Sequence, residues 1–282
     1  GRVPISAKLV SNMIVGAGAS RVLALDLHAA QIQGFFDIPV DHLYASPVLT
    51  RYFRRLDIKD LVVVAPDVGS SRLARGYAKR LNAGLAIVDK RRISDRVTEV
   101  MSVIGEVKGR GVLMIDDMIS TGSSITQAAK TVHELGAKQI FLAATHALLC
   151  GNAMSLLDAA PVEAVVVTDT IPLPEAKQRP YLRVLSVARL LGEAVLRIHH
   201  ADAGWWLRGG WRSLGRDLVV LGACLTIERS SLPAFGWLLK NLRRHLRRRF
   251  RRVHRDPHQF GARAPEIEDL PGRRLGVRRV GV

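Results

Sequence analysis

Short apolar runs recur along the first 200 residues, each separated from the next by a stretch with helical spacing, and this alternation leaves the chain few architectures. The runs are Arg21 to Leu25 (RVLAL), Leu61 to Ala65 (LVVVA), Leu85 to Val88, Gly111 to Ile115 (GVLMI), Gln139 to Ala143 and Ala164 to Val167 (AVVV). Runs this short and nearly free of polar residues read as strands buried on both faces, because a strand with one wet face would alternate. Between them, Pro47 to Leu56, Ser71 to Leu81 and Ser123 to Leu135 carry helical patterns, the last closed by Gly136 just past its end. Buried strands alternating with helices predict an α/β fold, a parallel sheet flanked by helices.

Each apolar run is followed at once by ionisable residues: Asp26 and His28; Asp67; Asp89, Lys90, Arg91 and Arg92; Asp116 and Asp117; His146; Asp169. In an open α/β sheet the carboxyl ends of the strands line one crevice where ligands bind, so these groups are expected to share one rim. An aspartate after a strand also commonly caps the next helix, and that plainer role is the expectation for Asp169, with a structural role likewise for His146. Lys90, Arg91 and Arg92 compete with the reading as a solvated basic patch, His28 with a core histidine, and Asp67 with a plain turn former.

The sharpest segment is VLMIDDMISTGSSI, Val112 to Ile125. An apolar strand ends in two adjacent carboxylates, and a loop of small residues, Ser120, Thr121, Gly122, Ser123 and Ser124, leads into a helix. Small residues let backbone N–H groups approach an anion, hydroxyls add donors, and a helix N-terminus supplies partial positive charge; the loop suits a phosphate monoester. The carboxylates can accept bonds from sugar hydroxyls or hold a hydrated cation. No lysine follows the glycine as in a P-loop, which points to a sugar phosphate rather than a nucleoside triphosphate at this loop. Two adjacent carboxylates repel each other and call for compensation by cations or hydroxyls.

The net charge of +17 suggests nucleic acid until it is divided along the chain. Residues 1–200 hold 24 Lys and Arg against 18 Asp and Glu, whereas residues 201–282 hold 18 against 7, so most of the excess is in the tail. All four tryptophans lie there too. The run from Arg243 to Arg255 could form a basic amphipathic helix on a membrane or nucleic acid, but its poor hydrophobic period favours a poorly ordered basic tail or a segment translated outside the ancestral frame. Cys150 and Cys224 are too few for a disulfide framework, and no apolar run reaches the roughly 18–20 residues that span a bilayer; a cytoplasmic protein without membrane partners is expected.

The Val112 to Ile125 segment resembles the phosphoribosyl-diphosphate-binding loop of the type I phosphoribosyltransferase fold. Six ordered blocks narrow the likeness: RVPISAK (2–8), DLHAAQIQGFFDIPVDHL (26–43), VVVAPDVGS (62–70), VDKRR (88–92), ATHALLCGNA (144–153) and VVVTDTIPL (165–173) look like the ribose-phosphate pyrophosphokinase family. The likeness covers about residues 1–200. It implies three regions: 1–20 as the end of a largely missing N-terminal domain with its linking helix, 21–200 as a phosphoribosyltransferase-like catalytic domain, and 201–282 as a tail without family counterpart.

What the resemblance implies is transfer of the diphosphate of ATP to ribose 5-phosphate, giving phosphoribosyl diphosphate and AMP for nucleotide biosynthesis, with Mg²⁺ as cofactor and a homo-oligomer as the intact protein. It makes Lys90 and Arg92 the catalytic cations. Asp116, Asp117, Ser120, Thr121, Gly122, Ser123 and Ser124 would bind ribose 5-phosphate, His28 and Asp67 the metal, and His28 and Lys90 the ATP phosphates. A site without a protein nucleophile agrees with phosphoryl-type transfer, which depends on positioning and charge stabilisation. Many family members carry an aspartate and Gly-Gly-Thr where this chain has Ser120 and Gly122-Ser123-Ser124. That departure, with the absent half, predicts a chain weak or inactive alone that binds ribose 5-phosphate better than ATP. The alternatives are a phosphoribosyltransferase consuming phosphoribosyl diphosphate, a catalytically silent synthetase-associated subunit, and nucleic-acid binding through the tail.

Overall fold

In the computed structural model the strands expected from apolar runs assemble mainly into a seven-stranded sheet. The structure describes residues 6–91, 100–201 and 218–222, with the backbone alone at 90, 91, 100, 199–201 and 218–222. These residues fall in one compact unit, Gly1–His245; the second, Leu246–Val282, lies outside them. In chain order the elements are α1 (Ser6–Gly16), β1 (Arg21–Leu25), β2 (Val40–Leu43), α2 (Ser46–Leu56), β3 (Val62–Ala65), α3 (Ser71–Leu81), β4 (Gly84–Arg91), β5 (Val100–Ile104), β6 (Gly111–Ile119), α4 (Ser123–Glu134), β7 (Gln139–Ala147), α5 (Ala153–Asp158), β8 (Ala164–Thr168), β9 (Leu182–Leu185), α6 (Ala188–Ala201) and β10 (Leu218–Gly222).

The large sheet has the order β5-β4-β3-β6-β7-β8-β9. All its neighbours are parallel except β4 and β5. Every residue of β3 is buried, as are the first five of β6 and eight of nine in β7, which is why these segments carry no polar alternation. One face, with Val62, Val64, Val112, Met114, Ile140 and Leu142, packs on Ile125, Ala128, Ala129 and Val132 of α4. The opposite face receives α2 and α3, where Phe53 meets Phe141 edge-on at 6.3 Å between ring centroids. Each such fully buried Val or Leu contributes about 1.5–3 kcal/mol, the main favourable term holding the layers together.

Three departures from the sequence reading matter for the site. First, β1 is not in the large sheet; it pairs in parallel with β2 and β10 in a separate three-stranded sheet. Apolar patterning identifies strands but not their partners. Second, β4, β6 and β7 run past their apolar runs, so Asp89, Lys90, Arg91, Asp116, Asp117 and His146 lie within strands rather than after them. The ladders explain this: Lys90 pairs with Met101 across the hairpin, Asp116 with Ala144 and Met118 with His146. Third, within the tail the segment Leu218–Gly222 is a strand, matched residue for residue to Arg21–Leu25. The rest of the expectation for 201–282 lies outside the described residues. The expected stop after α4 is a Schellman turn: Gly136 at φ +89° donates to His133 O at 2.9 Å and Ala137 N donates to Val132 O at 3.2 Å.

Candidate functional site

The carboxylate pair occupies the sixth and seventh positions of β6, where its burial gives way, toward the carboxyl edge of the sheet. Asp116 is half-buried; its Oδ1 accepts from Ser70 Oγ at 3.0 Å and from the N–H of Asp117 at 2.9 Å. Burial, and then repulsion by Asp117, pushes the Asp116 carboxyl up to about 7, the Ser70 hydroxyl opposing. The Asp117 carboxylate turns instead to His28, whose Nδ1 lies 2.6 Å from Oδ2. That histidine side chain is 71% exposed while Asp117 is 18% exposed, so the pair marks the boundary between sheet and solvent.

His28 follows β1 through a tight turn. Asp26 has φ +43°, a left-handed conformation uncommon without glycine, and its buried carboxylate accepts from Ala45 N at 2.8 Å and from Thr145 Oγ1 at 2.7 Å. Ala45 is the residue that begins α2, so Asp26 ties a helix start to the sheet and is structural. Asp169 does the same for α6, accepting from Val187 N at 2.8 Å, and His146 is fully buried between Thr170 and the β1 turn. The plainer roles expected for those two residues are the ones their hydrogen bonds describe.

Asp67 closes its own loop between β3 and α3, with Oδ1 accepting the N–H of Ser70 at 2.8 Å. Ser70 thereby bridges Asp67 to Asp116, a link that sequence reasoning missed; the D-x-x-S spacing of a local side-chain turn was its signal. His28 and Asp67, expected together as metal ligands, have these different partners, Asp117 and the Ser70 N–H. Lys90 has its backbone on the same carboxyl edge, because Ile87 is level with Ala65 and Lys90 lies three residues further along β4. Arg92 lies outside the described residues.

Beyond β6 the loop exposes Ser120, Thr121, Ser123 and Ser124 and buries Gly122, the residue that starts α4 at φ +76°. No side chain caps that helix N-terminus. The loop is anchored from behind: Leu149 N donates to Ile119 O at 3.0 Å and Cys150 N to Ser120 O at 2.9 Å. Its hydroxyls and first-turn N–H groups thus face outward beside the carboxylate pair, where a dianionic phosphate would meet the positive end of α4.

A hydrated magnesium ion fits this donor set. Asp67, linked through Ser70 to the half-buried Asp116, and Asp117 bring three carboxylates to this edge; burial first and then repulsion by Asp117 push the Asp116 carboxyl up, and a dication relieves the repulsive part. Mg²⁺ keeps several waters and takes one or two carboxylates together with substrate phosphates, so it requires no cluster of three ligating side chains, and none occurs among the described residues.

The large sheet is thus an open, mostly parallel α/β sheet with paired carboxylates, a hydroxyl-rich loop and an uncapped helix start on its carboxyl edge. A family model described as "Phosphoribosyl synthetase-associated domain" matches residues 92–207. The ribose-phosphate pyrophosphokinase of Rhodopirellula baltica is 57% identical over 203 residues, 71% of this chain and 64% of that protein. That of Chromobacterium violaceum is 50% identical over 225 residues, 79% of this chain and 67% of the relative. The crystal structure of phosphoribosylpyrophosphate synthetase from Mycobacterium smegmatis superposes with a TM-score of 0.66 at 42% identity, covering 71% of this chain and 66% of that one. The chain belongs to the ribose-phosphate pyrophosphokinase family. It spans 64% of the length of the Rhodopirellula relative and 66% of the Mycobacterium chain.

Proposed function

We propose that this chain carries the ribose 5-phosphate half of a ribose-phosphate diphosphokinase, which joins the diphosphate of ATP to the anomeric hydroxyl of ribose 5-phosphate. A bond forms between the anomeric oxygen and the β-phosphorus of ATP, the bond from that phosphorus to the oxygen retained by AMP breaks, and the hydroxyl proton is lost. The observation that carries this reading is the carboxylate pair Asp116-Asp117, tied to Ser70 and His28, standing beside the exposed hydroxyls and uncapped start of α4.

Within it, Ser120, Thr121, Ser123 and Ser124 with the first N–H groups of α4 bind the 5-phosphate, and Gly122 lets the chain turn into the helix. Asp116 and Asp117 accept from the ribose hydroxyls. His28 and Asp67 would hold Mg²⁺ beside the Asp116-Asp117 pair together with the ATP phosphates, and the ion would supply neutralisation of charge on the transferred group. Lys90 and Arg92 add cationic stabilisation of the same charge, His28 and Lys90 also contacting ATP. The intact protein acts in the cytoplasm as a homo-oligomer; among the described residues no helix is long and apolar enough to cross a membrane.

Titration calorimetry on the full chain tests the reading. Ribose 5-phosphate is expected to bind, with the Thr121→Val and Ser124→Ala variants each about tenfold weaker, the order of one lost charge-assisted hydrogen bond. ATP analogues with Mg²⁺ are expected to bind more weakly than the sugar phosphate. Absence of ribose 5-phosphate binding would overturn the assignment, and binding of phosphoribosyl diphosphate with a free base would replace it with a transferase.

A further inference from the structure

Beside Asp117 on the β6–β7 ladder lies a buried polar network whose inner members, Asp26, Thr145, His146 and Thr170, have no part in the chemistry above. Its centre is His146 of β7, fully enclosed. Its Nε2 faces two carbonyl oxygens of the β1 turn, Leu25 O at 3.2 Å and Asp26 O at 3.3 Å, and its Nδ1 lies 2.9 Å from Thr170 Oγ1. Carbonyls only accept, so Nε2 carries the proton and shares it between them, and Nδ1 accepts from the threonine. Thr170 Oγ1 also lies 3.1 Å from Thr145 O, which Thr168 Oγ1 already supplies at 2.7 Å, so the imidazole at 2.9 Å is the nearer acceptor for the single Thr170 proton. Burial holds the His146 imidazole below its ordinary range, against the pull of Asp26, as this neutral tautomer requires.

The preceding residue completes a closed circuit. Asp116 pairs with Ala144 and Met118 with His146, which sets Asp117 level with Thr145 across the β6–β7 ladder. Thr145 Oγ1 donates to Asp26 Oδ2 at 2.7 Å, Leu27 N donates to His42 Nε2 at 2.9 Å, and two residues after Asp26 the His28 ring returns to Asp117 at 2.6 Å. β1 and β6 belong to different sheets, so no ladder hydrogen bond fixes the distance between His28 and Asp117. β7 does so from the side, holding β6 by its backbone and the β1 turn by two side chains.

The geometry points to His146, with Thr145, as a positioning residue that docks the β1 turn onto the large sheet and so sets the His28 imidazole against Asp117. The placement stands on the hydrogen bonds; its importance for diphosphate transfer rests on the function proposed above. A histidine that merely filled space would be replaceable by leucine. A docking donor is replaceable only by a side chain that can offer an N–H at the Nε2 position, and glutamine can.

The test is imidazole NMR on the full chain, reading the His28 ring signals that report its hydrogen bond to Asp117, with ribose 5-phosphate titrated in parallel. His146→Leu is expected to lose the His28–Asp117 signature and to speed amide exchange at residues 26–28 by about tenfold, whereas His146→Gln restores both. Ribose 5-phosphate affinity should stay near the parent value in both variants, since its loop hangs on β6 and α4. If His146→Leu does not fold, Thr145→Val, which removes the Asp26 donor at nearly equal volume, is expected to lose the same signature. An unchanged His28 signature in the leucine or valine variant, or glutamine no better than leucine, overturns the proposal. Failure of the parent chain to bind ribose 5-phosphate would sink the function while leaving this test readable.

Discussion

Asp116 shows how burial and one neighbouring charge make a single residue a pH-dependent element of stability. Its carboxyl is pushed up by burial and by Asp117, so the folded protein holds a proton there that the unfolded chain releases near pH 4. Between about pH 4 and about pH 7 the native state therefore binds more protons than the unfolded state, and stability falls as pH rises through that window, flattening above it. Melting followed by circular dichroism at pH 5 and pH 8 should show this slope. Asp116→Asn, which still accepts from Ser70, should remove it and raise the melting temperature at pH 8 by roughly 2–4 °C per kcal/mol recovered. At the same scale, Gly122→Ala should cost about 1–2 kcal/mol, because a side chain at φ +76° is strained although neighbouring atoms leave it room, the closest being Ala153 Cα at 3.6 Å. Equilibrium denaturation reads that loss, and ribose 5-phosphate affinity should fall with it.

Among the elements, β10 makes the most exposed prediction. Leu218–Gly222 pairs in parallel with all five residues of β1, and β1 leads directly to the turn that carries His28. Consecutive residues of a parallel strand point their N–H groups to opposite sides, so the double variant Val219→Pro with Val220→Pro removes a ladder donor whichever faces β1. Hydrogen exchange at residues 22–25 is expected to accelerate, by about tenfold for roughly 1.4 kcal/mol of lost local stability, while the large sheet keeps its protection. Element by element, the short apolar runs and the helical patterns between them were readable: the expected spans for β1 and α3 match the observed ones, and those for β3, β8, α2 and α4 differ at their ends. β2, β5 and β9 were not. β2 is four residues of intermediate burial containing Asp41 and His42, without a local apolar signal; β5, VMSVI, is apolar at four of five residues, but its place is set by antiparallel pairing with β4 rather than by the strand-helix alternation.

For the whole molecule the testable quantity is linkage. A ligand that binds only the folded state stabilises it by about 2.7 kcal/mol at a hundred times its dissociation constant, so ribose 5-phosphate should raise the melting temperature and ATP with Mg²⁺ should raise it less. AMP formation from the two substrates by this chain alone is expected to be weak or absent; robust turnover in a coupled assay would contradict that. From the residues alone one could derive the α/β class, the carboxylates near the ends of the strands and the small-residue loop that starts α4, because burial pattern, turn chemistry and helix starts are local properties encoded within a few residues of each other. The division into two sheets, the Ser70 bridge, the pairing of His28 with Asp117 across 89 positions and the clamp from β7 were decided only by the tertiary structure. Those contacts depend on which strands become neighbours, and a strand's own sequence specifies its faces without naming the partner at its edge.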